Sequence, residues 1–173
     1  MPKPKEKQLH PLTALVKNKS GVLSRLSGLL ARRGFNIDSL AVGETTDSRY
    51  SRMSIIVNGD RKTLDQVVKQ LNKQVDVISV KDLSDRSHVE RELSLIKVHA
   101  GTENRSEIIE LADIFRAKVA DVGKKFVIVE ATGGADKVKA LEDLLEEFGI
   151  EEIARTGRVV LERAEKRKDE KSE

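Results

Sequence analysis

The fold is decided by one stretch of the chain, NKSGVLSRLSGLLARRGFNIDSL, which spans Asn18–Leu40. Its apolar residues recur at the spacing of one helix face, at Val22, Leu23, Leu26, Leu29 and Leu30. Ser20 is predicted to cap this helix, because a serine hydroxyl accepts hydrogen bonds from helix-start amides. Gly34 is predicted to end it in the left-handed conformation. The stretch therefore predicts a loop, an amphipathic helix and the start of a strand.

The segments around this stretch complete a βαββαβ order. Strands are predicted at Leu12–Val16, Phe35–Gly43, Arg49–Val57 and Val75–Leu83. A second amphipathic helix carries Leu64, Val67, Val68 and Leu71. Two helices on one face of an antiparallel sheet form the split βαβ, or ferredoxin-like, arrangement.

The second half of the chain repeats this order. Strands are predicted at Val89–Ala100, Val119–Val122, Phe126–Ala131 and Ile150–Leu161, with one helix capped by Asn104 and another after Gly134. The predicted fold class is α+β, with two tandem ferredoxin-like βαββαβ units. We expect a flexible basic tail at residues 1–10, a first unit at 11–84, a second unit at 85–162 and a charged tail at 163–173.

Composition argues against several classes of protein. The sequence lacks cysteine, so disulfides and thiolate metal sites are excluded. No apolar run reaches the roughly 18 residues that a membrane span needs, and the N-terminus lacks an apolar signal core. We therefore expect a cytoplasmic protein that does not contact a membrane.

The net charge of +3 does not indicate nucleic-acid binding. The excess lies largely in residues 1–10, which hold three lysines and one glutamate, and the rest of the chain is close to neutral. A βαββαβ sheet that binds RNA stacks bases on exposed aromatic side chains. Aromatic residues make up only 3% of this chain, and none lies at Met53–Ile56 on the third predicted strand. The sequence predicts no nucleic-acid partner.

Catalytic motifs are also missing from the sequence. Neither a GxxxxGK[ST] loop nor a GxGxxG loop occurs, and no serine stands in a nucleophile-elbow pattern. The three histidines, His10, His88 and His99, are too scattered for a convincing metal cluster. We predict no catalytic residue and no metal ligand.

One feature that favours a ligand is the helix start at Asn18–Arg25. Backbone amides at a helix N-terminus have no partners inside the helix, and the helix dipole favours negative charge there. Gly21 has no Cβ, so a ligand could approach the backbone closely. An α-carboxylate would suit this end, although an ordinary capped turn between a strand and a helix is the more common case.

The same stretch resembles the opening of an ACT domain, an amino-acid-sensing module. More narrowly, the chain resembles the family of small regulatory subunits of acetolactate synthase, also called acetohydroxyacid synthase. The resemblance continues through five further segments: SRMSI at Ser51–Ile55, QLNKQVDVISV at Gln70–Val80, HVERELSLIKV at His88–Val98, ADIFRAKVADV at Ala112–Val122 and ARTGRVVLER at Ala154–Arg163. It covers nearly the whole chain, with the motifs in one consistent order.

The resemblance implies a role in the biosynthesis of valine, leucine and isoleucine. A separate catalytic large subunit would carry thiamine diphosphate, FAD and Mg, and this chain would carry no cofactor. The small subunit would activate that enzyme and confer feedback inhibition by valine. A free-standing ACT-type amino-acid sensor that controls another enzyme or regulator is the alternative.

The resemblance also implies where valine binds. ACT domains of this family pair side by side into a homodimer with one continuous eight-stranded sheet and effectors at its interface. The loop side of the valine site would comprise Asn18, Gly21, Val22 and Leu23, and Asn36 and Ile37 would reach it from the second chain. The second unit has no equivalent glycine loop, since Gly101-Thr102-Glu103-Asn104 matches poorly. We therefore expect that unit to serve as an interface or transmission domain.

Overall fold

The structure is a computed structural model that describes residues 8–164 and contains two antiparallel sheets. Residues 1–7 and 165–173, which include most of the two predicted tails, lie outside the described residues. The first strand begins at Leu9, inside the predicted N-terminal tail. The predicted α+β class with tandem ferredoxin-like units is confirmed.

The first unit follows the predicted order βαββαβ. Its elements are β1 (Leu9–Lys17), α1 (Val22–Arg32), β2 (Asn36–Glu44), β3 (Tyr50–Asn58), α2 (Arg61–Asn72) and β4 (Val77–Asp82). The strand order across the sheet is β2-β3-β1-β4, so β2 and β4 form its edges. Both helices pack on one face, against a core that includes Leu12, Leu26, Ile55 and Leu71.

The second unit repeats the order and adds one strand. Its elements are β5 (His88–His99), α3 (Arg105–Ile114), β6 (Lys118–Val122), β7 (Phe126–Gly133), α4 (Ala135–Leu145), β8 (Ile150–Arg155) and β9 (Val159–Glu162). The order across the main sheet is β6-β7-β5-β8. A separate core that includes Ile96, Ile108, Val129 and Leu141 lies between this sheet and its helices.

The ends of α1 show where local sequence rules hold and where they fail. Gly34 takes a φ of +68°, and the amides of Gly34 and Phe35 donate to the carbonyls of Ala31 and Leu30. This is the Schellman arrangement, so the predicted end of the helix is confirmed. The predicted cap at Ser20 is wrong, because Gly21 occupies the N-cap position with a φ of +81° and no side chain caps the helix.

The last predicted strand, Ile150–Leu161, is in fact two strands. Gly157 takes a left-handed φ of +77° and turns the chain, so β9 leaves the path of β8 and pairs with the first residues of β5. Val160 of β9 packs with Ile56 and Leu83, and its amide donates to Ser54 Oγ at 3.1 Å. The second unit thus covers the face of the first sheet that α1 and α2 leave open.

Candidate effector site

The loop between β1 and α1 is anchored through its backbone. The Asn18 amide donates to the Arg49 carbonyl at 2.7 Å, and the Lys17 amide donates to the Asp76 carbonyl at 2.9 Å. The Asn18 side-chain Nδ2 donates to the Ser48 carbonyl at 2.9 Å, so Nδ2 is engaged and the amide oxygen remains available as an acceptor. The loop is therefore fixed by the turn before β3 and by the chain before β4.

That supporting turn is held by an ion pair at the surface. Asp47 accepts hydrogen bonds from the Arg49 backbone amide at 3.0 Å and from its guanidinium at 2.6 and 3.0 Å. The Arg49 side chain holds the pKa of the Asp47 carboxyl below its ordinary value. The same turn supplies the two carbonyls that receive Asn18.

The start of α1 leaves backbone donors open. Val22 donates to the Lys19 carbonyl at 3.3 Å, and Arg25 donates to Gly21 at 2.9 Å. Within residues 8–164, the amides of Leu23 and Ser24 have no acceptor. Two neighbouring N–H groups at the positive end of a helix suit an anion such as a carboxylate.

The side chains of this loop differ in what they can offer a ligand. Val22 is only 3% exposed and packs in the core, so only its backbone could contact a ligand. Leu23 is 46% exposed and presents an apolar side chain beside the open amides. A Cβ at Gly21 would lie 3.3 Å from Arg25 Nη1, which places a guanidinium over the glycine.

Arg25 and its partner Asp76 lie near this loop, and the sequence motif does not indicate them. The Arg25 guanidinium forms an ion pair with the Asp76 carboxylate, and Lys17 Nζ lies 3.9 Å from the same side chain. Asp76 follows α2, far from the loop in sequence. No local signal in the sequence predicts that pair.

The remaining two predicted site residues lie at the other end of the sheet. Asn36 is exposed at the start of β2 and pairs with Asn58, whereas Asn18 lies beside Arg49, just before the start of β3. Because nine residue steps separate Arg49 from Asn58, the two asparagines lie about 30 Å apart along the sheet. One chain thus brings Asn18, Gly21, Val22 and Leu23 together and keeps Asn36 and Ile37 apart from them.

The corresponding loop of the second unit is fixed by one side chain, although the amides of the first three residues of α3 have no acceptor within residues 8–164. Arg105 Nη2 donates to the carbonyls of Ala100, Gly123 and Lys124 at 3.2, 2.8 and 3.0 Å. Asn104 lies at the N-cap position as predicted, but its side chain makes no capping bond and its Nδ2 lies 3.5 Å from the His99 carbonyl. Arg105 therefore fixes this loop by bridging it to the turn between β6 and β7.

The histidines have separate structural partners. His10 bonds Ser84 Oγ and the Gly59 carbonyl, and His88 bonds the Arg86 carbonyl. His99 lies 3.2 Å from Glu151 and packs against the Phe126 ring. Within residues 8–164, no three histidine or acidic side chains are grouped to hold a metal. No helix in that range is long and apolar enough to cross a membrane.

Two family models match the chain. Residues 12–79 match the model described as AHAS small subunit-like ACT domain, and residues 91–164 match the model described as small subunit of acetolactate synthase. Together these matches cover both units.

Individual relatives agree with the family models. The probable acetolactate synthase small subunit of Archaeoglobus fulgidus is 52% identical over 91% of this chain and 99% of its own length. The Aquifex aeolicus small subunit is 46% identical over 95% of this chain and 86% of its own length. A crystal structure of the Thermotoga maritima small subunit is 44% identical, with a TM-score of 0.83 over 91% of this chain and 98% of that one.

Proposed function

This chain belongs to the family of acetolactate synthase small subunits, and on that premise we propose that it activates the catalytic subunit and makes it sensitive to valine. Membership makes the chain a regulatory subunit rather than a catalytic one. We assign thiamine diphosphate, FAD and Mg to the catalytic large subunit, which we propose as the binding partner. Residence in the cytoplasm stays a prediction.

The observation that carries the valine proposal is the open helix start of α1. The free amides of Leu23 and Ser24 suit the carboxylate of an amino acid. The Asn18 amide oxygen suits its ammonium group, because Nδ2 of that residue is already bonded to Ser48. The exposed side chain of Leu23 suits the isopropyl group of valine.

We propose that the site is completed by a second copy of the chain. β2 is an edge strand, so a second β2 can pair with it and continue the sheet. In an antiparallel, two-fold pairing each β2 runs opposite to its mate. Asn36 of the partner subunit then falls at the end of the sheet that carries Asn18, and Ile37 of the partner subunit falls next to it. This pairing explains why one chain separates the two half-sites.

Mixing two valine-insensitive variants tests the two-chain site. Gly21→Asp and Asn36→Ala should each abolish valine inhibition of the reconstituted enzyme. In a mixed dimer one site carries both changes and the other carries neither, so the mixture should regain part of the valine response. Recovery would require the two half-sites to come from different chains. A mixture as insensitive to valine as each variant alone would contradict that arrangement.

Reconstitution with the catalytic subunit separates the main proposal from a free-standing sensor. We expect the chain to co-purify with a thiamine-diphosphate-dependent acetolactate synthase subunit, to raise its activity and to make it respond to valine. Valine binding without any effect on that enzyme would favour the free-standing sensor instead.

A further inference from the structure

The link between β8 and β9 lies directly on the strand that carries the second half-site. This link comprises Thr156, Gly157 and Arg158. A Cβ at Gly157 would lie 2.9 Å from Ser39 Oγ and 3.2 Å from the Leu40 carbonyl oxygen, so the backbones of the link and β2 approach more closely than a side chain would allow. Ser39 and Leu40 follow Asn36 and Ile37 on β2 by only a few residues.

Arg158 joins the two units through both its backbone and its side chain. Its amide donates to Ser39 Oγ at 2.8 Å. Its guanidinium lies 3.8 Å from the Asp38 carboxylate on β2, and 3.6 and 4.0 Å from the carboxylates of Glu90 and Glu92 on β5. The side chain is only 20% exposed, so these charges interact with limited screening by solvent.

The link is tied to the second unit on its other side. The Thr156 amide donates to the Leu93 carbonyl at 3.0 Å, and the Leu93 amide donates back to Thr156 Oγ at 3.1 Å. The preceding residue, Arg155, bonds both carboxylate oxygens of the buried Glu142 on α4. A displacement of the link would therefore reach α4 through hydrogen-bonded groups.

β2 has a local irregularity at the point where the link touches it. The pairing register between β2 and β3 shifts between Ile37 and Ser39, so regular ladder pairing is interrupted beside Asp38. A cleft of about 510 Å³, lined by residues of β2, α4 and β8, adjoins the link. The irregular pairing and the cleft leave room for this part of β2 to shift relative to the second unit.

We propose that the link transmits the state of the valine site to the second unit, with Arg158 as its positioning residue. The inference rests on the proposed function, because it requires valine to contact β2 at Asn36 and Ile37. A ligand shifts an equilibrium only if it binds two arrangements unequally. Here the two arrangements differ in how β2 sits against the link.

Hydrogen–deuterium exchange on the full chain, with and without valine, tests this route together with inhibition of the reconstituted enzyme. In the wild type, valine should slow exchange in the loop before α1, in β2 and also in residues 156–162. In Arg158→Gln and Ser39→Ala, valine should still protect the loop and β2 but not residues 156–162. The valine concentration for half-inhibition should rise about fivefold or more, with activation retained.

Arg61→Gln is the matched control. Arg61 also faces three carboxylates, those of Asp65, Asp82 and Asp85, but all four residues lie outside the link. The Arg61→Gln variant removes the arginine of such a charge cluster without touching β2. It should leave unchanged both the protection from exchange that valine confers and the inhibition by valine.

The outcomes separate the inference from the proposed function. Protection of the loop and β2 without any change at residues 156–162 in the wild type would overturn the inference and leave the valine site standing. Equal losses of valine inhibition and of protection at residues 156–162 in Arg158→Gln and Arg61→Gln would also overturn the inference. The effect would then come from removing any such buried or surface arginine charge, not from the link. A wild type that valine neither protects nor inhibits would overturn the proposed function, and the inference would fall with it.

Discussion

The two helix starts that follow the central strands of the two sheets, one before α1 and one before α3, both leave first-turn amides without an acceptor in the described chain, but the loops that precede them are held differently. Before α1, Gly21 takes a left-handed conformation, no side chain caps the helix, and amides stay open in the described chain. Before α3, the Arg105 guanidinium bonds three carbonyls and fixes the loop. The same fold can therefore hold the loop before a helix through backbone hydrogen bonds, as before α1, or through a long side chain, as before α3.

The open sheet faces differ in the same way. On the first sheet, Ile56 is buried beneath Val160 and Leu83. On the second sheet, Leu95 remains exposed. The first unit therefore has a covered sheet face, whereas the corresponding face of the second unit is exposed at Leu95.

The largest effect on valine inhibition is expected from a carboxylate placed in the loop before α1. Gly21→Asp should weaken the valine response about 100-fold or abolish it, because the new side chain would repel the ligand's carboxylate and pair with Arg25. Activation of the catalytic subunit should persist. Valine inhibition curves of the reconstituted enzyme measure both effects.

The control places the same carboxylate in the loop before α3. Gly101→Asp should leave valine inhibition unchanged, since a Cβ there meets only Asn104 Oδ1 at 3.8 Å and we expect this loop to bind no valine. An equal loss of valine inhibition in the two variants would show that the effect does not depend on which loop carries the carboxylate.

Replacing the arginine beside each loop should lower the free energy of unfolding by different amounts. Arg105→Ala should lower the free energy of unfolding by about 2–3 kcal/mol, because three carbonyls lose a charged donor. Arg25→Ala should lower it by about 1 kcal/mol or less, since that side chain is 59% exposed. Urea unfolding at matched protein concentration measures both values. A larger loss of stability in Arg25→Ala than in Arg105→Ala would contradict the structural role given to Arg105 in the loop before α3.

The covered face of the first sheet can be tested with two adjacent residues of β9. Val160→Ala should lower the free energy of unfolding by about 1.5 kcal/mol, because it removes buried methyl groups from the contact with Ile56. Leu161 is 61% exposed, so Leu161→Ala should change that free energy by less than about 0.5 kcal/mol. Similar values for the two would show that β9 does not cover the sheet in solution.

The smallest effects concern pH and have opposite signs at two glutamates. Hydrogen bonds from Lys81 and Arg86 lower the pKa of Glu162 to about 2, from an ordinary value of 4.5. Its stabilising contribution is complete above the ordinary value and is lost as pH falls toward 2. Glu162→Gln should therefore unfold at lower urea than the wild type at pH 7, and the gap should narrow at pH 3.

Glu92, between the units, should behave the other way. Burial raises the pKa of its carboxyl, helped by the neighbouring Glu142 and Glu90 and opposed by Arg158 and Arg155. Its protonated form is therefore favoured by folding, and that contribution is lost as pH rises through the raised value. Glu92→Gln should be more stable than the wild type at pH 7 and equal to it well below pH 4.5. A destabilised Glu92→Gln at pH 7 would contradict the sign.

Local patterns in the sequence predicted the order of elements because apolar spacing marks each helix face and glycine marks the end of α1. They failed at Ser20, since a left-handed glycine next to it took the cap position. They failed again at Ile150–Leu161, whose apolar residues continue past Gly157 as in one strand. Its first and second parts pair with different segments of β5, and pairing of that kind depends on contacts distant in sequence.

The candidate site was predictable only in part for the same reason. The open amides before α1 follow from helix geometry, and the residues Asn18 and Gly21 stand in the sequence motif. The roles of Asp76, Arg105 and Arg158 depend on partners far away along the chain. No local pattern signals them.

Calorimetric titration of the full-length chain with valine tests directly whether the first unit binds valine through half-sites from two chains and the second unit binds none. We expect one valine per chain, with the heat of binding lost in Gly21→Asp and kept in Gly101→Asp. Two independent valine equivalents per chain, or binding that survives Gly21→Asp, would contradict it.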